Sequence, residues 1–333
     1  MNSRILSLTA VLGSLCLLSS LRAKEPGGSA PPSEKADGAE SVKPELPDYI
    51  RFADDAKSAR LEIAVKSFKL PSGTVIDLIG VVHIADAAYY ADLNKRFDGY
   101  DAVLFELVGD PAALTKKQEA ARPLETKESG KETKEDSSPG SGGVRFIQNT
   151  AGRLLKLSFQ LDQIDYTKPN MVHADASWEE FARMQKERGE SMMGLFMRAM
   201  KAQMSGELDN LPVKELDTFG LLRILMSRDS AAEFKIVLGK MFDQAESMTA
   251  IMEGEEGSAI LSDRNAVVLR KIREVIADPA KKRIGVFYGA AHMPGIEGML
   301  INDLKAQPAG EEWLPGWTMP HEPVEAEKPA EKP

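Results

Sequence analysis

Cysteine is almost absent from this chain. The single cysteine of the 333-residue sequence, Cys16, lies in an N-terminal apolar segment that we interpret as a leader. The rest of the chain therefore has no thiol nucleophile, no cysteine-ligated zinc and no disulfide framework. Stability has to come from a hydrophobic core, and 43% hydrophobic residues suffice for one domain of about 250 residues.

Positive charge is also scarce. The chain has 42 Lys and Arg against 51 Asp and Glu, a formal net charge of −9. Loss of Arg4 and Arg22 with the leader would change this to −11, that is −9 − 2. Phosphate backbones and anionic lipid surfaces repel such a protein. We therefore expect no nucleic acid partner and no anionic membrane surface as a partner.

Long hydrophobic runs are confined to the N-terminus. Residues 1–23 have a polar start with Arg4, then an apolar stretch, and end at Ala23 before a hydrophilic region. This layout is typical of a secretory signal peptide, which predicts a periplasmic or secreted protein. The alternative is an uncleaved leader, which would be the protein's only link to a membrane. The sequence does not indicate an oligomeric state.

Composition divides the remaining chain. Residues 24–47 are rich in Pro, Gly, Ser and Glu and predict a disordered linker, and residues 319–333 predict a disordered tail. One catalytic domain is expected over residues 48–318. Within it, the Lys-, Glu-, Ser- and Gly-rich stretch 113–143 is expected to be a surface insertion, disordered or partly helical.

The apolar patterns of the domain predict an α/β fold. Residues 61–70 alternate, and a Pro-Ser-Gly turn separates them from the β-branched run 74–82, which predicts a β-hairpin. A helix over 86–97 and a buried strand over 101–108 then give a β-α-β unit. The other expected elements are helices over 178–205, 218–253, 258–277 and 296–304, and strands over 283–291 and 313–317.

Two of the four histidines end the same four-residue phrase. G-V-V-H ends at His83 and G-A-A-H ends at His292, each at the close of a predicted strand. Ligands of α/β folds bind at the carboxyl ends of strands, because the loops there are free to carry chemistry. We therefore expect a split site that contains both histidines. Gly80 and Gly289 would allow close approach of backbone, water or substrate.

Glu106 completes the predicted site from the end of the strand over 101–108. Two neutral imidazoles and one carboxylate suit a catalytic divalent metal with open positions for water. The alternative is that His83 and His292 are hydrogen-bonded strand-end residues and that Glu106 is an ion-paired acid.

Four further residues are secondary candidates. His173 and Asp175 precede a helix with a predicted capping box, and could supply a ligand or general base or form a helix-entry network. Arg264 and Asn265 lie in an apolar-periodic helix. Arg264 could hold a substrate carboxylate, orient Glu106 through a bidentate contact, or form a structural ion pair.

The motifs resemble those of the TraB/PrgY/GumN family. G-V-V-H-I-A-D, V-L-F-E-L and Y-G-A-A-H-M-P-G-I are similar to its two G-x-x-H motifs with a glutamate after the first. The resemblance spans most of residues 49–317 and implies a central mixed β-sheet flanked by helices. Through the TIKI members it implies a metalloprotease that depends on manganese or cobalt, with zinc and iron as other candidates. The family distantly resembles ChaN-like and erythromycin-esterase-like proteins.

Together these observations predict an exported metal-dependent hydrolase, most simply a peptidase acting on peptide or protein substrates. His83, Glu106 and His292 would bind the metal, with Arg264 beside them at the catalytic centre. Two alternatives remain. One is a non-catalytic envelope protein that binds metal, haem or peptide in the same pocket. The other is a metal-independent, esterase-like hydrolase in which a histidine acts as general base.

Overall fold

In the computed structural model of the chain, the described residues are 48–121, 157–190, 229–243, 253 and 257–321. They belong to a compact unit that begins at Asp48. The predicted leader and linker lie outside these ranges, as do the insertion beyond residue 121 and the tail beyond residue 321. Within the ranges, no helix has the length and apolar character needed to cross a bilayer.

The described residues form nine strands, seven α-helices and two irregular turns. The strands are β1 (Ile50–Asp54), β2 (Ser58–Lys69), β3 (Val75–Val81), β4 (Ile84–Ala85), β5 (Ala102–Phe105), β6 (Ser158–Phe159), β7 (Met171–His173), β8 (Arg283–Gly289) and β9 (Gln307–Pro320). The helices are α1 (Ala87–Phe97), α2 (Pro111–Ala121), α3 (Gln160–Gln163), α4 (Trp178–Glu187), α5 (Ser230–Asp243), α6 (Arg264–Ile276) and α7 (Met293–Leu304). A π-helical turn (Ala259–Asp263) precedes α6, and a 3-10 turn (Ala290–His292) precedes α7.

Seven strands form one mixed sheet, as the resemblance implies. β3, β8, β5 and β7 are parallel neighbours in that order, and β2 is antiparallel to β3. Leu61 of β2 pairs with Phe52 of β1 on one side and with Trp317 of β9 on the other. β1 and β3 therefore share one side of β2, and β9 covers the other. β8, the last parallel strand along the chain, lies between β3 and β5.

Helices cover both faces of the sheet because the strand side chains alternate. In β5, Val103 and Phe105 face one hydrophobic cluster, whereas Ala102 and Leu104 face a second. The first cluster includes buried residues of α1 and α5, and the second includes buried residues of α6 and α7. Each large apolar side chain buried in this way stabilises the fold by about 1.5–3 kcal/mol. The two layers hold the central strands rigidly, and so fix where each strand ends.

Several predicted elements are confirmed by the described residues. The hairpin of β2 and β3 is present, with Lys69 paired to Val75, and α1 connects β3 to β5 as expected. α4 begins with the predicted capping box, in which Ser177 and Glu180 bond reciprocally. The predicted helices over 178–205 and 218–253 lie partly outside the described residues, which contain only α4 and α5 of them. Residues 113–121 of the predicted insertion belong to α2.

The C-terminal elements differ from the prediction. β8 ends at Gly289, so His292 closes a 3-10 turn rather than a strand. α7 begins at Met293, three residues earlier than predicted, because proline is tolerated in the first turn of a helix, where its missing N–H costs nothing. β9 continues to Pro320, beyond the predicted domain end, because it pairs along the whole of β2.

Candidate active site

The site lies where four parallel strands end. His83 follows β3, Glu106 follows β5, Asp175 follows β7, and His292 follows β8 through the 3-10 turn. Val81 pairs with Gly289, so the two G-x-x-H phrases leave the same edge of the sheet from adjacent strands. The chain after β3 enters α1 on one face of the sheet, whereas the chain after the adjacent β8 enters α7 on the other, which is the topology that opens a ligand crevice in α/β proteins.

Glu106 accepts hydrogen bonds on both carboxylate oxygens. Oε1 accepts from Nη2 of Arg264 at 2.6 Å, and Oε2 accepts from the backbone N–H of Gly289 at 2.6 Å. A Cβ on Gly289 would lie 3.0 Å from Oε2, so the missing side chain lets the carboxylate reach the backbone. Burial alone would raise the pKa of Glu106. The positive charge of Arg264 is the largest influence that opposes burial, and it holds that pKa well below its usual range.

Arg264 is the centre of a buried ion network. Its Nε and Nη2 donate to the two oxygens of Asp175 at 2.9 and 2.6 Å, and the Asp175 side chain is fully buried. The bidentate contact of Arg264 is therefore with Asp175, whereas Glu106 is bound through one oxygen. Nη1 of Arg264 lies 3.2 Å from Nε2 of His292. The π-helical turn just before α6 sets this position, a distortion often found at functional sites.

His292 is buried and neutral near pH 7. Its Nδ1 lies 2.7 Å from Oδ1 of Asn265, and its ring packs edge-on against Tyr288 with centroids 5.2 Å apart. Burial, followed by the positive charge of Arg264, lowers the pKa of His292 to about 4. Its Nε2 also lies 3.6 Å from Oε1 of Glu106.

His83 is exposed and is held by a residue that the sequence did not indicate. Its Nδ1 lies 2.9 Å from Oε1 of Gln160, and its carbonyl accepts from the backbone N–H of Gln160 at 3.0 Å. The charge of His83 contributes to the lowered pKa values of Glu106 and His292, so His83 lies within electrostatic reach of both. Gln160 begins the four-residue α3, which has no pattern that would identify it in the sequence.

The other candidates have supporting contacts. Nε2 of His173, the last residue of β7, lies 2.6 Å from the carbonyl of Leu107, which follows the neighbouring strand β5. Asp175 also accepts from the N–H of Ala176 at 2.7 Å. The Asp175 contact lies at the entry to α4, whereas the His173 contact joins the ends of two strands. Gly80 packs against β2, where a Cβ would lie 3.1 Å from Ile63 and 3.3 Å from a backbone carbonyl.

Gly295 is a second residue that the sequence analysis did not identify. A Cβ at this position of α7 would lie 2.5 Å from Nδ2 of Asn265, which is closer than van der Waals contact allows. The same Nδ2 donates to the carbonyl of His292 at 3.3 Å. Gly295 thus provides the space that Asn265 needs in order to contact His292. The Pro-Gly pair after His292 is the only sequence signal for this role.

The donor set suits a divalent cation. Two ligands each about 2.1 Å from one metal lie roughly 3 to 3.5 Å apart, close to the 3.6 Å between His292 Nε2 and Glu106 Oε1. Across the described part of the chain, no three His, Cys, Asp or Glu side chains already form a metal-binding group. The guanidinium of Arg264 contacts two of the three predicted ligands, Glu106 and His292. Its contact with Nε2 of His292 would have to break before that nitrogen could bind a metal.

The comparisons with known proteins agree with the motifs. A sequence model of the TraB/PrgY/gumN family matches residues 68–308, which is more than half of the chain. That range contains His83, Glu106, Arg264 and His292. No curated protein matches the chain significantly.

Proposed function

The chain belongs to the TraB/PrgY/gumN family, and from this premise we propose that it is an exported metal-dependent hydrolase of peptides or proteins. The observation that carries the proposal is the position of His83, Glu106 and His292 at one edge of the sheet, with two of their donor atoms 3.6 Å apart. The choice of peptide bonds rests on the resemblance to the TIKI metalloproteases.

The protonation states of the site favour a cation. His292, with a pKa of about 4, offers a neutral imidazole, and Glu106 stays ionised because Arg264 and the Gly289 N–H stabilise its charge. His83 and His292 would bind the metal through Nε2 and Glu106 through its carboxylate. Manganese or cobalt is our first choice, with zinc and iron as other candidates. When bound, such an ion supplies Lewis-acid activation of a carbonyl group and of water.

Arg264 has a positioning role in this proposal. It holds one oxygen of Glu106 at 2.6 Å, and Asp175 anchors its guanidinium through two bonds. Since all three side chains are largely buried, the orientation of the Glu106 carboxylate is set before any ligand arrives. Such preorganisation avoids the cost of ordering the group during the reaction.

A second candidate is a metal-independent hydrolase, and one observation favours it. Arg264 already donates to both Glu106 and His292, so its guanidinium occupies the donor atoms that a metal would use. In this case the exposed His83 would act as general base towards water, and esters are the expected substrates.

Metal analysis combined with substrate screening tests the proposal. The protein is purified after export, its metal content is measured, and a peptide library is digested with manganese, cobalt, zinc and iron supplied in parallel. We expect about one metal per chain and peptide cleavage, both lost in His83→Gln and His292→Gln. His321→Gln is the matched control, because His321 bonds to the surface residue Asp54 instead.

The other outcomes would support different functions. Metal-free protein that cleaves esters would overturn the metal proposal in favour of the second candidate. Stoichiometric metal without cleavage of any peptide or ester would make the chain a binding protein of the cell envelope.

The proposal of export depends on residues 1–23, which lie outside the described residues. Their Arg-containing start, apolar centre and Ala23 predict cleavage, so the mature protein should begin at Lys24. Intact mass measurement on the exported protein checks this. A mass that still includes the leader, together with membrane association, would show instead that the leader anchors the chain.

A further inference from the structure

Each motif histidine is held at two points by one amide-bearing residue. The backbone N–H of Gln160 donates to the His83 carbonyl at 3.0 Å, and its Oε1 lies 2.9 Å from His83 Nδ1. Nδ2 of Asn265 donates to the His292 carbonyl at 3.3 Å, and its Oδ1 lies 2.7 Å from His292 Nδ1. Gln160 lies in α3 and Asn265 in α6, so the same contact pattern arises twice from unrelated elements.

The contacts of Asn265 determine the tautomer of His292. A backbone carbonyl can only accept a hydrogen bond, so the NH₂ group of Asn265 must face it and Oδ1 must face the imidazole. Nδ1 of His292 therefore carries the proton. Arg264 gives an independent reason, because a guanidinium can only donate and lies 3.2 Å from Nε2. Nε2 of His292 must therefore present its lone pair.

The contacts of Gln160 point to the same tautomer in His83. The amide of Gln160 is oriented with Nε2 at 2.9 Å from the hydroxyl of Tyr166, a buried residue, and with Oε1 facing His83. Nδ1 of His83 then carries the proton, and Nε2 is free to present a lone pair. Gln160 itself is only 3% exposed, so water competes poorly for its amide oxygen.

We propose that Gln160 and Asn265 are positioning residues that lock His83 and His292 in the Nδ1–H tautomer, with both Nε2 lone pairs available to one site. Metal-binding histidines typically donate their second ring N–H to an oxygen acceptor, and a general base needs the same free lone pair. The role of the Nε2 lone pairs in binding a metal or a proton rests on the proposed function. The assignment of the two tautomers does not.

Nitrogen NMR of the imidazole rings tests the tautomers directly. The chain has four histidines, so a ¹⁵N-histidine-labelled sample gives few signals, and His173→Gln and His321→Gln assign two of them. At pH 7.5, in metal-free protein, we expect a protonated-type shift for Nδ1 and a lone-pair-type shift for Nε2 in both His83 and His292. A protonated Nε2 in either wild-type ring would overturn the proposal for that residue.

Substitutions at Gln160 separate tautomer control from general packing. Gln160→Met removes the acceptor, so His83 should change to a mixture of tautomers, whereas Gln160→Glu keeps an acceptor and should keep Nδ1–H. Gln160→Glu is also the matched control, because it keeps the size of the side chain and changes only the group that faces His83 and Tyr166. A single Nδ1–H tautomer of His83 in Gln160→Met, or an equal loss of it in Gln160→Glu, would refute the role of Gln160.

Asn265 is tested through the proton on Nδ1 of His292. In the wild type, this buried and hydrogen-bonded proton should exchange slowly with solvent and give a resolved resonance. Asn265→Leu should lose that resonance, and Asn265→Asp should retain it. If the resonance persists unchanged in Asn265→Leu, then Asn265 does not hold the ring.

Metal binding distinguishes failure of this inference from failure of the proposed function. We expect Gln160→Met and Asn265→Leu each to weaken Mn²⁺ binding about 10- to 100-fold, as loss of the acceptor behind a metal-binding histidine typically does. Wild-type protein with both Nδ1–H tautomers but no Mn²⁺ binding would leave the inference intact and overturn the metal-dependent function. Tight Mn²⁺ binding by protein whose His83 and His292 rings carry the proton on Nε2 would overturn the inference and leave the metal-dependent function intact.

Discussion

Arg264 balances most of the buried charge at the site. It contacts two carboxylates, Glu106 and Asp175, while the neighbouring His292 is neutral near pH 7. Two negative groups against one guanidinium leave one net negative charge in a poorly solvated region. A charge in such surroundings is costly unless a counter-ion offsets it. A bound cation would therefore stabilise the charges around Arg264 more than an anionic ligand would.

Replacing Glu106 by Gln should destabilise the metal-free protein. Both oxygens of Glu106 accept from N–H donors, of Arg264 and of Gly289, but a carboxamide offers only one acceptor. Its NH₂ group would face a donor, and Arg264 would lose a charged partner. Because Arg264 keeps its ion pair with Asp175, the cost is that of a poorly satisfied buried donor, and we expect the free energy of unfolding to fall by about 1 to 3 kcal/mol, measured by urea denaturation of chelator-treated protein.

Glu312→Gln is the matched control for this substitution. Glu312 also pairs with an arginine, Arg96, but its side chain is 55% exposed. Solvent screens such a pair, so its loss should cost less than about 1 kcal/mol. Equal effects of the two substitutions would show that the Glu106–Arg264 pair adds nothing to stability through burial.

Acid should destabilise the metal-free protein through His292. Its folded-state pKa of about 4 lies below the value of about 6.5 expected in the unfolded chain. Between these values the unfolded state binds a proton that the folded state does not, so stability falls as the pH drops from 6.5 towards 4. The loss is about 3 kcal/mol if the full difference applies.

Denaturation at a series of pH values checks the contribution of His292. His292→Gln should flatten the dependence between pH 6.5 and 4.5, whereas His321→Gln should keep it because His321 is a surface residue. Glu106 adds to the pH dependence of stability only below about pH 4.5. Its folded-state pKa is lowered from that value, so its stabilising effect is complete above pH 4.5 and is lost as the pH falls further. An unchanged slope in His292→Gln would mean that His292 is not the buried neutral group.

At the scale of elements, local sequence patterns predicted individual strands and helices well. They did not predict the order in which the strands pair. Alternation and turn residues identified the β2–β3 hairpin, and the repeated G-x-x-H phrases identified the strands that precede His83 and His292, although a 3-10 turn separates His292 from β8. The position of β8 between β3 and β5 depends on contacts between residues far apart in sequence, which no local pattern encodes. Gln160 could not be predicted for the same reason, since its role depends on tertiary contact alone.

Helix α7 contains two glycines that should respond oppositely to alanine. A Cβ on Gly295 would lie 2.5 Å from Nδ2 of Asn265, whereas a Cβ on Gly298 would meet nothing within 4 Å. Gly298→Ala should therefore stabilise the protein by about 0.5–1 kcal/mol through helix propensity. Gly295→Ala gains the same propensity but displaces Asn265, so we expect net destabilisation in thermal melts.

The same pair of variants reports on the site. Gly295→Ala should also lose the slowly exchanging Nδ1–H resonance of His292, because Asn265 can no longer reach the ring. Gly298→Ala should keep it. If both variants melt above the wild type, then α7 can shift enough to accept the methyl group, and the close approach is not required.

At the scale of the whole molecule, the predicted insertion contains one segment that belongs to the fold. Gln118 of α2 donates to the carbonyl of Ile164 and accepts from the N–H of Tyr166, and so braces the segment that carries Gln160. A deletion of residues 124–141 spares these bonds, whereas a deletion of residues 116–141 removes them. Only the longer deletion should lower the melting temperature and weaken metal binding.

Differential scanning calorimetry and metal titration of the two deletions check this. The shorter deletion removes a stretch too polar to bury much apolar surface, so it should melt cooperatively at nearly the wild-type temperature. A large loss of stability in the shorter deletion would show that residues 124–141 contribute to the core.

The late position of β8 along the chain has a consequence for biosynthesis. Until residues 283–289 leave the ribosome, β3 and β5 have no strand between them, and the loops that carry His83 and Glu106 have no common support. Long-range pairing of this kind forms slowly, and the unpaired strand edges invite aggregation or chaperone binding meanwhile. Under the proposed function, this order of synthesis keeps the nascent chain from digesting itself or its neighbours, because the candidate site cannot form until β8 and His292 have been made.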